Sequence, residues 1–220
     1  MTYQDFKFIM KQCFLGASLL RAHQNLDFKN RVSVHGNTID LGAKDAKYAY
    51  HNYIHKAENC EMTYTDLYPR AEGIVEVDFN KEFKLDSNSF DNILLFNVLE
   101  HVWDTRNLLS ECNRILSKDG KFYGAVPFLF RHHPDPTDFW RFTTESMERL
   151  LKENGFKDIS VIPHGVGCFT VSANTFVFLF RIKILVSLVW AIALILDHLL
   201  SKIWPNNQTF YLGLFIKATK

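Results

Sequence analysis

Four consecutive strand candidates in this chain of 220 residues end on an acid or an amide, and that regularity narrows the fold more than any other feature. The strand at 38–41 carries Asp40, the one at 61–65 is followed by Asp66, the one at 73–77 by Asp78, and the one at 90–96 by Asn97. One carboxylate at a strand end is ordinary, because Asp is a frequent turn and capping residue. Repeated on successive strands, such groups line one edge of a sheet. Open α/β sheets bind their ligands at that edge, near the point where the strand order reverses.

Helix or turn patterns fill the gaps: 46–55, then 98–116 closed by Lys118-Asp119-Gly120, then 143–154 with Thr143 or Thr144 as N-cap and Gly155 as C-cap. Strands at 121–128, 157–162 and 209–218 bring the count to seven. Alternation of strand and helix predicts a mostly parallel sheet covered on both faces, with an antiparallel ending where the rhythm breaks. Residues 3–28 read as one helix, ended by Lys29, Asn30 and Arg31. The expected organisation is an N-terminal helix over 1–31, an α/β domain over 32–170 and 206–220, and an apolar helical insert over 171–205.

Residues 176–200 are apolar except where Arg181 and Lys183 interrupt, so the unbroken run is 184–196. That is shorter than the roughly 20 residues a helix needs to cross a bilayer. The segment fits a helix lying in a membrane surface, with Arg181, Lys183, Lys202 and Trp204 at headgroup level. Burial against the domain, or an oligomer contact, is the main competing reading, and a true membrane span is the third.

Composition sets the remaining bounds. The chain is 47% hydrophobic and 22% charged, which is enough to build a packed core. A formal charge of +1, with no basic stripe of interleaved aromatics, gives no reason to expect nucleic acid as a partner. Cys13, Cys60, Cys112 and Cys168 form no Cys-x-x-Cys pair, and the first 12 residues lack a signal-peptide core. The expectation is a cytoplasmic protein with reduced thiols, peripheral at the inner face of a membrane if 176–200 contacts lipid.

Three segments carry a family resemblance. Thr38-Ile39-Asp40-Leu41-Gly42-Ala43-Lys44-Asp45-Ala46-Lys47-Tyr48 resembles motif I of the class I S-adenosylmethionine-dependent methyltransferases, of the type 11-like kind. Phe90 to Val102, ending Leu99-Glu100-His101-Val102, resembles their fourth-strand motif, and Glu111 to Phe122 the helix and turn before their fifth strand. The similarity spans about 32–165, with 209–220 similar to the seventh strand. It implies a Rossmann-like α/β fold, a seven-stranded mostly parallel sheet with an antiparallel last strand and helices on both faces. It also implies S-adenosyl-L-methionine as cofactor. Asp40, Gly42 and Ala43 would shape the pocket for its methionine part, Asp66 with neighbouring Leu67 would hold the ribose, Asp78 and Phe79 would meet the adenine, and Asn97 would sit beside the sulfonium. The chain departs from the family at Lys44 and Ala46, where further glycines are usual. If Lys44 takes a positive φ, the cost is on the order of 1 kcal/mol.

The stretch 131–143, rich in His, Pro and Asp, follows the fifth strand and belongs over the same sheet edge. It resembles the corresponding loop of glycan- and lipid-modifying methyltransferases. His132, Asp135, Asp138, Trp140 and Arg141 are the candidates for substrate binding, and His101 or His133 for removing a proton from an acceptor. No metal is expected from His132, His133, Asp135 and Asp138, because adjacent loop histidines rarely aim at one ion. These features predict in-line methyl transfer to a small-molecule, saccharide or lipid-linked acceptor. The alternative is a catalytically weak or inactive binding or assembly protein of the same fold at a membrane surface, and oligomers are compatible with both.

Overall fold

A computed structural model describes residues 1–44, 49–69, 71–180, 182–204 and 209–220 of the chain. Seven strands build its main sheet: β1 (Asn37–Leu41), β2 (Glu61–Asp66), β3 (Ile74–Glu76), β4 (Phe90–Phe96), β5 (Leu116–Pro127), β6 (Lys157–His164) and β7 (Gly213–Thr219). They lie in the order β3-β2-β1-β4-β5-β7-β6. The first five are parallel, and β7 runs antiparallel between β5 and β6. The order reverses between β1 and β4, which puts the ligand-binding edge where Asp66 and Asn97 end their strands.

Central strands covered on both faces need continuous apolar runs. β4 supplies one: Ile93, Leu94 and Leu95 are at most 2% exposed. The helices on one side bring Leu108, Leu109, Cys112 and Ile115 of α3 (Thr105–Ile115) and Met147 and Leu151 of α4 (Thr144–Glu153) onto the sheet. On the other side Phe28 stacks on Phe96, their ring centroids 4.1 Å apart.

The single helix expected over 3–28 is two helices, α1 (Tyr3–Phe14) and α2 (Leu19–Arg31). Apolar periodicity alone missed the break. Gly16 adopts φ 103°, and the Ser18 side chain accepts a hydrogen bond from Arg21 N, so a turn and a new N-cap interrupt the run. The helix expected from residue 98 likewise starts later. Leu99–His101 is a single 3₁₀ turn, and Asp104 caps α3 by accepting from Asn107 N at 3.0 Å. The turn expected over 46–55 is a 3₁₀ turn at Ala49–Asn52, and its first residues lie outside those described. α4 begins at the expected Thr143 cap.

The apolar insert holds α5 (Cys168–Phe176) and α6 (Lys183–Leu200). One stripe of α6, formed by Trp190, Ala193, Leu194 and Asp197, packs against a core that includes Ile9, Leu20, Ala22 and Leu212. Asp197 accepts hydrogen bonds from Phe169 N at 3.2 Å and Thr170 N at 2.6 Å, satisfying the first turn of α5. The two helices approach so closely there that a Cβ on Gly167 would stand 2.1 Å from the Asp197 carboxyl carbon. The opposite stripe of α6 faces outward, with Ile184 71% and Leu188 55% exposed. By length and composition α6 could cross a membrane, but its inner stripe is committed to the domain.

Candidate active site

A cleft of about 810 Å³ opens at the carboxyl ends of β1, β2 and β4. The turn after β1 forms its floor. Gly42 N and Ala43 N both donate to Thr65 O, at 2.9 and 2.8 Å, which folds the chain sharply back over β2. Gly42 has φ 89°, and a Cβ there would meet Val98 Cγ2 at 2.4 Å, so only glycine fits. Lys44 follows with φ 51°, in the left-handed region that a glycine would occupy freely.

Asp66 ends β2 inside the cleft. Its Oδ2 accepts from Lys44 N at 3.0 Å and its Oδ1 from Tyr68 N at 2.9 Å, so backbone donors fix the carboxylate in place. Leu67, Phe79 and Asn97 share this wall. Asn97 is held with φ 55°, and its side chain pairs with Gln24 of α2, which donates to Asn97 Oδ1 at 2.7 Å.

The loop after β5 closes the other side, and it is tied to the 3₁₀ turn following β4. Phe139 N donates to Glu100 O at 2.8 Å, Thr137 Oγ1 to His101 O at 3.0 Å, and Trp140 Nε1 to Val102 O at 3.0 Å. His101 Nδ1 bonds Thr137 O in return. Within the loop, Arg141 grips the Asp138 carboxylate, which also accepts from His133 N at 2.8 Å. The Arg141 guanidinium first, then the His133 backbone, hold the Asp138 carboxyl well below the usual carboxylate range. Glu100, followed by Asp138, raises the His133 imidazole above its ordinary value, against the opposing effect of burial.

Of the residues singled out from sequence, Gly42, Asp66, Leu67, Phe79, Asn97, His101, His133 and Asp135 line one cleft. The others stand elsewhere. Asp40 is fully buried behind the floor, where its Oδ2 takes the Tyr50 hydroxyl at 2.7 Å and His51 Nε2 at 2.6 Å. Ala43 is buried beneath the turn. Asp78 turns to Lys81, 2.8 Å away, and that ammonium first, then Asn80 N, lowers its carboxyl pKa. Asp138 and Arg141 brace the loop from behind, Trp140 stacks on Trp103 with centroids 5.3 Å apart, and His132 does not line the cleft.

Sequence reasoning missed several wall residues. Arg21 and Gln24 come from α2, which carried no site signal of its own, and Tyr50 and Tyr68 from turns. Trp103, 63% exposed, and Phe139, 44% exposed, form an aromatic lip. A tryptophan two residues beyond His101 that fits no apolar stripe was the available clue.

Residues 17–161 match the model of a family described as a methyltransferase domain. The chain belongs to this methyltransferase family. A probable S-adenosylmethionine-dependent methyltransferase of Mycolicibacterium smegmatis is 29% identical over 101 residues, 42% of this chain. The match spans 39% of that relative, so the chain corresponds to only part of it. Among solved structures, Haemonchus contortus phosphoethanolamine N-methyltransferase 2 in complex with S-adenosyl-L-methionine superposes with a TM-score of 0.54 at 17% identity, over 99% of this chain and 57% of that one. The structure described as "Complex between the Haloferax volcanii Trm112 methyltransferase activator and the putative methyltransferase" gives 0.58 at 13% identity, over 100% and 98%. At such identities the structural likeness speaks to fold alone.

Proposed function

We propose that the cleft binds S-adenosylmethionine and that the protein transfers its methyl group to a hydroxyl-bearing saccharide or lipid-linked acceptor. The observation that carries this reading is the convergence of the Gly42 turn, Asp66, Phe79 and Asn97 on one elongated cleft. Asp66, its carboxylate fixed by two backbone donors, presents its remaining acceptor capacity to a ribose diol. Phe79 offers an apolar face to adenine, and the tight turn at Gly42 leaves backbone exposed to the methionine end. Asp40 and Ala43 act from beneath, by supporting that turn.

The cofactor supplies a methyl already activated on a sulfonium, so the chain has to align an acceptor and exclude water. The 131–142 loop, pinned to residues 100–102, roofs the cleft. His101 and His133 lie on the wall beyond Asn97 and are placed to assist loss of a proton from the acceptor. The Trp103–Phe139 lip favours an acceptor with a flat or sugar-like face. The outward stripe of α6 suits a peripheral seat at the inner face of a membrane, where a lipid-linked acceptor would be met.

A second reading, a binding or assembly protein that has lost turnover, draws on Lys44. Its ammonium pairs with Asp135 across the cleft mouth, and its backbone already occupies Asp66 Oδ2. Titration calorimetry with S-adenosylhomocysteine, followed by methyl transfer from labelled S-adenosylmethionine to membrane extracts, separates the two. Binding with transfer supports the enzyme and overturns the second reading, whereas binding without transfer, or no binding, supports the second reading and overturns the enzyme.

A further inference from the structure

Glu100 is fully buried, and among the described residues neither of its carboxylate oxygens accepts a hydrogen bond. A bare carboxylate in that position is costly unless a cation meets it. Two imidazoles face it. His101 Nε2 lies 3.8 Å and His133 Nε2 3.7 Å from Glu100 Oε1, too long for hydrogen bonds. The nearest ligand atoms of the three side chains all lie within 4.8 Å of one another. Four-coordinate ligands about 2.1 Å from a zinc-sized ion stand roughly 3.4 Å apart, so the three groups would close by up to about 1.4 Å on binding it.

The far nitrogens fix the tautomers. His101 Nδ1 meets the carbonyl of Thr137, and His133 Nδ1 meets the carbonyl of Arg131 at 3.0 Å and Asp138 Oδ2 at 3.1 Å. Arg141 Nη2 also lies 3.4 Å from His133 Nδ1, but the two shorter contacts of that atom are to acceptors, so the proton is assigned to Nδ1 on both rings. Both Nε2 atoms then present lone pairs toward Glu100. When both rings are neutral, three acceptors converge with no donor among them, and each histidine has the outer hydrogen bond that metal-ligating imidazoles use for orientation.

We infer that Glu100, His101 and His133 form a binding site for a divalent transition-metal cation that opens onto the cleft. Two imidazoles and one carboxylate suit zinc, manganese or iron better than magnesium or calcium. Both histidines line the cleft, so an ion held by them would be within reach of an acceptor bound there. This deepens, and rests on, the proposal of methyl transfer to a hydroxyl. A cation there eases loss of the hydroxyl proton to solvent. The freed oxygen lone pair forms the new O–CH₃ bond while the S–CH₃ bond breaks, its electron pair passing to sulfur. The products are a methyl ether, S-adenosylhomocysteine and one proton.

The test uses the whole chain, stripped with a chelator and titrated with Co²⁺ while its visible ligand-field absorption is followed, with Zn²⁺ as competitor. One equivalent of Co²⁺, displaced by Zn²⁺, is expected, with binding at least tenfold weaker in both Glu100→Gln and His133→Ala. Should the glutamine variant fail to fold, His133→Ala, altered on a half-buried loop, carries the comparison. Unchanged Co²⁺ binding in the variants, or none in the wild type, overturns the site. Calorimetry with S-adenosylhomocysteine on the same samples reads the cofactor proposal separately: Co²⁺ binding without it leaves the metal site standing and removes the methyl-transfer role.

Discussion

The ammonium of Lys44 and the carboxylate of Asp135 form an ion pair across the mouth of the cleft, joining the turn after β1 to the loop after β5. The two side chains are 33% and 46% exposed, so solvent screens the pair and its contribution to stability is small, under about 1 kcal/mol. The backbone of Lys44 matters more. At φ 51° a side chain is strained and a glycine is not. Lys44→Gly is expected to raise the free energy of unfolding by up to about 1 kcal/mol in urea titrations, although it breaks the ion pair. Asp135→Asn should leave that free energy within about 1 kcal/mol of wild type.

Burial dominates at His23 on α2. Its Nε2 is enclosed without a hydrogen bond among the described residues, and its surroundings include His164 and Asp27. Burial first, then His164, lower the imidazole to about 4, with Asp27 opposing. The unfolded chain, titrating near 6.5, takes up the proton first, so stability falls as pH drops from 6.5 toward 4. The expected loss from this residue between pH 7 and pH 5 is about 2 kcal/mol. His23→Leu should flatten that part of the stability–pH curve, measured by denaturant titration at each pH.

Arg141 and Asp138 brace the loop from behind, and the Asp138 side chain is only 1% exposed. Removing the cation leaves a buried carboxylate uncompensated. Arg141→Gln is therefore expected to cost about 3 kcal/mol in urea unfolding. It should also loosen residues 131–142, read as faster amide exchange at Phe139 and Trp140, whose N–H groups bond Glu100 O.

The two stripes of α6 predict opposite behaviour. Leu194→Ala, on the buried stripe at 3% exposure, should cost about 2–4 kcal/mol. Ile184→Asp combined with Leu188→Asp, on the outward stripe, should leave the thermal midpoint nearly unchanged yet abolish flotation with vesicles containing anionic lipid. Equal flotation of that variant and wild type would remove the membrane proposal.

Much of the fold was legible because strand alternation and strand-end acids are local signals. β4 was readable to the residue, and Asp66 and Asn97 fell on the cleft because any residue ending a strand near the switch point must. Asp40 was legible as a strand-end acid, but its burial was not. Tyr50 and His51, brought against it by the turn at Ala49–Asn52, occupy one of its oxygens. The Gly16 break escaped because the apolar pattern continues in phase across it. Glu100 and His133 lie far apart in sequence. Their approach depends on Phe139, Thr137 and Trp140 bonding to residues 100–102, which no single segment could announce.

Asp66 carries the central claim that the cleft holds an adenosyl cofactor. Calorimetric titration of wild type and Asp66→Ala with S-adenosylhomocysteine tests it most directly. Loss of a charged hydrogen-bond acceptor is worth about 1.5–3 kcal/mol, so affinity should fall at least tenfold with folding retained. Equal affinity in the two proteins, or no binding to wild type, would contradict the account.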